Sequence, residues 1–150
     1  MSFSPEQRKR SQRDAIVASC WGAIPQVMVN DSSVVILFAT LLGAGEMISV
    51  MTSSLQHLSL CLLMIPLAYL SERGSKKRQI MTAAALGCVM LLGTAAAPWF
   101  GRYAAVVLLA TLAAFSITIS AYLAAWFPLL DGVVSPQERG LFFGRLRFSW

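Results

Sequence analysis

Residues 68–78 read A-Y-L-S-E-R-G-S-K-K-R, a short basic turn set between two long apolar stretches. Upstream, residues 47–70 contain no Lys or Arg, and downstream, residues 80–97 contain no charge at all. Each flank is therefore suited to crossing a hydrocarbon core of roughly 30 Å as a helix. The turn that joins them must face water. Arg73, Lys76, Lys77 and Arg78 against the single acid Glu72 predict the cytoplasmic side, because short loops rich in Lys and Arg are retained inside.

The rest of the composition agrees with a membrane solvent. Of 150 residues, 57% are hydrophobic and 13% charged, and the mean hydropathy is +0.66. A net charge of +5 could suggest nucleic acid, but the basic residues lie in short clusters beside apolar stretches and not along one soluble face. No nucleic-acid partner is expected; the lipid bilayer is. Cys20, Cys61 and Cys88 sit singly in apolar surroundings, without the paired spacing of a zinc site or a disulfide framework, and read as small packing residues.

Residues 1–14 are polar and basic and do not resemble a cleavable signal. Residues 15–42 are mostly apolar, interrupted by the polar run Asn30, Asp31, Ser32 and Ser33, and read as one helix with a polar middle, since either half alone is short of the roughly 20 residues needed to span. Gly43, Ala44 and Gly45 break that helix. A second span is expected over 47–70, a third over 80–97 and a fourth over 104–127, with residues 98–103 (P-W-F-G-R-Y) as an interfacial turn. Ala83 and Gly87, and then Ser116, Ser120 and Ala124, recur at four-residue spacing, which lets helices approach closely in lipid. Residues 128–150 are expected to hold a cytoplasmic connector and the start of a fifth helix. In this layout eleven basic residues fall inside and only Arg102 outside, so both termini are expected to be cytoplasmic, in the plasma (inner) membrane.

The basic turn also resembles the connector between the second and third helices of major facilitator superfamily transporters, whose signature reads approximately G-x-L-a-D-R-x-G-R-R-R. Leu70, Arg73, Lys76, Lys77 and Arg78 match it, Glu72 replaces its aspartate, and Ala68 and Ser75 stand in place of its glycines. The resemblance implies that Glu72 and Arg73 brace helix ends and that the turn takes part in switching between two states. A plain topogenic loop is the alternative. Residues 136–144 (P-Q-E-R-G-L-F-F-G) look like the connector between the fourth and fifth helices of many members, on Pro136, Glu138, Arg139, Gly140 and Gly144. Many proton-linked drug exporters of the superfamily carry an arginine in the fourth helix; residues 104–127 have none, which leaves drug–proton exchange weakly supported.

No enzyme is expected. There is no H-E-x-x-H, no G-x-S-x-G and no phosphate-cradling glycine loop, and one His cannot build a histidine-based metal cluster, so neither cofactor nor metal is called for. Asp31 is the acid deepest in an apolar stretch, where ionisation costs roughly 2.5–3.5 kcal/mol. It lies 15 residues from Ile16, about 22 Å along a helix, while His57 lies 14 residues from Ser71, about 21 Å. Equal depth makes the two a candidate pair, and Asn30, Asp31, Gln56 and His57 a candidate solute or proton pathway. Separate hydrogen bonds to Ser or backbone remain the bland alternative.

The expectation is thus an all-α membrane protein of four transmembrane helices plus the start of a fifth, resembling the amino-terminal part of the major facilitator fold. The resemblance implies secondary transport of a small solute by alternating access, with a coupling proton or other ion. The chain would then be an inactive part awaiting the missing carboxy-terminal helices. A stand-alone four-helix assembly or regulatory partner is the alternative.

Overall fold

The computed structural model describes residues 5–30, 33–131, 134 and 139–148. They form α1 (Pro5–Asn30), α2 (Ser33–Leu41), α3 (Glu46–Arg73), α4 (Lys76–Ala96), a 3-10 segment (Ala97–Tyr103), α5 (Ala104–Asp131) and α6 (Arg139–Phe148). Every described element is helical.

The expected count of four transmembrane helices with the start of a fifth is overturned. Two stretches of the described residues are long and apolar enough to cross a membrane, Ser54–Arg73 and Lys76–Leu130. A third is reached only by joining Lys9–Val29 and Ser33–Leu41, which are bent by 47°. The physical reasons lie at two places. Residues 98–103 wind on as 3-10 turns interrupted at Gly101, so the expected third and fourth spans belong to one 55-residue helical stretch. It folds back on itself at Gly101, whose φ of 52° and ψ of −119° a side chain would strain. The expected first span is two helices, α1 ending at Asn30 and α2 beginning at Ser33, in a stretch whose Asn, Asp and Ser residues have low helix propensity. α6 is a ten-residue helix whose Phe142 is buried beside Trp126, Leu130 and Val134.

α5 is the post on which the others lean. α3 and α4 each pack along it but hardly touch each other beyond their two-residue connector. Lys76 meets Pro128, Gln79 meets Ala121, and Thr94 meets Thr111, so α4 and α5 run antiparallel. Small residues set their spacing. Ala83 and Gly87 are buried, and a Cβ on Gly87 would meet Thr118 Oγ1 at 3.3 Å. At Gly93 a Cβ would come within 2.9 Å of Thr111 Cγ2, so the helices can be this close only with glycine there. On α5, Ser116, Ser120 and Ala124 are all buried, the two hydroxyls bonding back to Leu112 and Ser116 carbonyls.

Two apolar clusters close the ends. Ala39, Ala44, Ala97, Leu108 and Leu112 join the α2–α3 turn to the 3-10 segment. That turn has Gly43 at φ 82°, with Gly43 N–H donating to Thr40 O and Ala44 N–H to Ala39 O, the arrangement that satisfies the last carbonyls of a helix. At the other end, beside the α3–α4 connector, Trp126, Leu130, Val134 and Phe142 gather Ile16 and Ile80. Large apolar side chains elsewhere point outward: Leu62 is 65% exposed and Ile65 81%. In water such a surface would drive association; against lipid it is solvated.

Candidate functional site

The connector is tight because α3 ends at Arg73 and α4 begins at Lys76, leaving only Gly74 and Ser75 between them. Gly74 N–H donates to Leu70 O, and Gln79 N–H donates to Ser75 O, so both helix ends are closed by backbone. Leu70, Glu72, Arg73, Ser75, Lys77 and Arg78 are all exposed. The Arg73 guanidinium sits 4.4 Å from the centre of the Tyr69 ring on its own helix, a cation–π contact. The cross-helix tie comes from two other residues. Lys76 Nζ donates to Pro128 O of α5 at 3.4 Å, and Gln79 Nε2 donates to Leu67 O of α3 at 3.4 Å and to Ala121 O of α5 at 3.1 Å. One amide thus holds three helices. Gln79 was not singled out in the sequence; its signal was a lone amide entering an otherwise uncharged, apolar helix just after the basic run.

The candidate pathway residues part company on α3. Gln56 is buried at 3% exposure, while the adjacent His57, about 100° further round the helix, is exposed. Asn30 ends the backbone of α1, and Asp31 lies outside the described residues, so their side chains enter no geometry here. Of the second connector, Pro136 and Glu138 also lie outside the described residues; Arg139, Gly140 and Gly144 are exposed on α6.

What the fold does gather is a buried polar stripe on one face of α3: Ser49, Thr52 and Gln56, spaced by three and four residues. Ser49 Oγ accepts from Thr40 Oγ1 at 3.2 Å, and Thr52 Oγ1 donates to Ser49 O at 2.6 Å. Gln56 ends the stripe, and its Oε1 is buried without a hydrogen-bond partner. An acceptor left so costs about 1–3 kcal/mol. Ser71 Oγ, nearer the connector, is another buried polar atom in that condition among the described residues. In the sequence polar residues crowd positions 52–57, but their rotation toward the interior required the packing of α3 on α5. No protein-family model, no curated protein and no solved structure matches the chain, and the family resemblance rests on the connector residues alone.

Proposed function

We propose that the chain supplies the opening helices of a secondary transporter of the major facilitator type, inserted with the basic connector toward the cytoplasm. The observation that carries this reading is the orphaned, buried Oε1 of Gln56 at the end of the polar stripe of an apolar, membrane-length helix. An acceptor that costs stability where it stands is well placed to take a hydrogen bond from a solute donor during transport. The connector supports the same reading. Its Lys76 and Gln79 tie α4 to α5 and α3 through single hydrogen bonds to carbonyls, contacts weak enough to be remade when helices rock. In this reading further helices complete the pathway, and the described helices alone carry no solute.

The test is solute exchange in cells that express the transporter, profiled against cells with Gln56→Leu. Uptake is expected to fall at least tenfold with unchanged membrane yield; unaltered uptake would overturn the assignment of Gln56. Charge reversal by Glu72→Lys or Arg73→Glu should lower transport without loss of insertion if the exposed connector charges meet the moving half. Full transport in both variants would reduce the turn to a topology signal.

A further inference from the structure

An apolar groove of about 440 Å³ runs between α1 on one side and α4 and α5 on the other. Trp21 and Gly22 of α1, Ala84 and Cys88 of α4, and Phe115 and Trp126 of α5 line it. Two of its three hydroxyls are spent, and the third belongs to the Tyr122 phenol. Ser19 Oγ donates to Ala15 O at 2.8 Å and Thr118 Oγ1 to Phe115 O at 2.7 Å, so hydrocarbon fits the interior better than a polar solute.

The groove's length and position narrow the occupant. On α4 it extends from Ile80 to Leu91, twelve residues, or about 16 Å from first to last. That is close to half of a hydrocarbon core of roughly 30 Å, the depth of one leaflet. It begins two residues after Arg78 and five residues after Arg13, and both are exposed. Around this end the described side chains of α1, the connector and α6 present nine basic groups, Lys9, Arg10, Arg13, Arg73, Lys76, Lys77, Arg78, Arg139 and Arg145, against three acids, Glu6, Asp14 and Glu72. A one-leaflet apolar slot opening on a basic rim matches an anionic amphiphile.

We propose that the groove holds an acyl chain of an acidic phospholipid from the connector-side leaflet, its phosphate held at the rim by Lys77, Arg78 and Arg13. The site depends on insertion in a membrane and not on transport. Basic pockets between helices on the cytoplasmic side recognise acidic headgroups in this way, and each basic residue near the surface is worth about fivefold in affinity.

Tryptophan fluorescence reads it directly. In a Trp99→Phe, Trp150→Phe variant, Trp21 and Trp126 remain and both line the groove. The protein is reconstituted in phosphatidylcholine vesicles doped with either phosphatidylglycerol or phosphatidylcholine brominated on the acyl chain. Brominated phosphatidylglycerol is expected to quench at lower mole fraction. Lys77→Gln with Arg78→Gln should weaken that preference about thirtyfold, and Ala84→Phe, which fills the groove, should abolish it, while Leu62→Phe on the exposed face of α3 leaves it unchanged. Equal quenching by the two lipids would overturn the proposal. So would quenching by neither, which means that protein, from a second copy or another helix, covers the groove.

Discussion

Gln56 and Gly93 show how single side chains constrain this fold in opposite directions. Gln56 carries a buried acceptor with no donor, so Gln56→Leu should raise stability by about 1–3 kcal/mol even as it removes the proposed solute contact. Thermal unfolding in detergent, beside the uptake measurement, checks both halves; a destabilised Gln56→Leu protein would show that the amide is structural. Gly93 is held by geometry. A methyl there meets Thr111 Cγ2 at 2.9 Å, so Gly93→Ala should cost about 1–3 kcal/mol, and Thr111→Ser, which removes that methyl group and keeps the hydroxyl bonded to Thr94, should restore most of it. Gly22→Ala, with nothing within 4 Å, is the control and should be neutral or slightly stabilising.

Among the helices, the hydrogen bonds of Gln79 are the contact that one substitution removes most cleanly. Gln79→Leu loses donors to α3 and α5 together, each worth about 0.6 kcal/mol in a membrane setting. A loss of about 1 kcal/mol is expected, with faster thiol labelling of a cysteine placed at buried Ser71 as α3 loosens; no change in either would mean that the amide only decorates the surface. Helices and close-packing stripes were legible in the sequence because both are local: Ala83 and Gly87, and Ser116 and Ser120, repeat at one helical turn and all are buried. Rotation was not legible. Gln56 and His57 are neighbours in an evenly polar stretch, and only the packing of α3 on α5 buries one and exposes the other. Nor was the continuity of residues 98–103, where Pro98 and Gly101 signal a turn equally well whether it is open loop or 3-10 winding.

At the scale of the whole molecule, the basic side chains gather at one end: among the described residues nine surround the connector end and Arg102 stands at the other. Ser75 lies at the basic end and Trp99, 87% exposed, at the opposite one. With cysteines at these positions in a cysteine-free background, an impermeant maleimide should label position 99 in intact cells and position 75 only after lysis; the reverse pattern would invert the proposed orientation. The central place of α5 has a consequence in time. The ribosome delivers α3 and α4 first, yet neither has its main packing partner until residues 104–131 emerge, roughly 2–7 s after α4 is complete at 5–20 residues per second. During that interval the nascent helices have only lipid or an insertion chaperone for company, so a chain halted before Ala104 is expected to be cleared by membrane proteases, and one halted after Asp131 to survive.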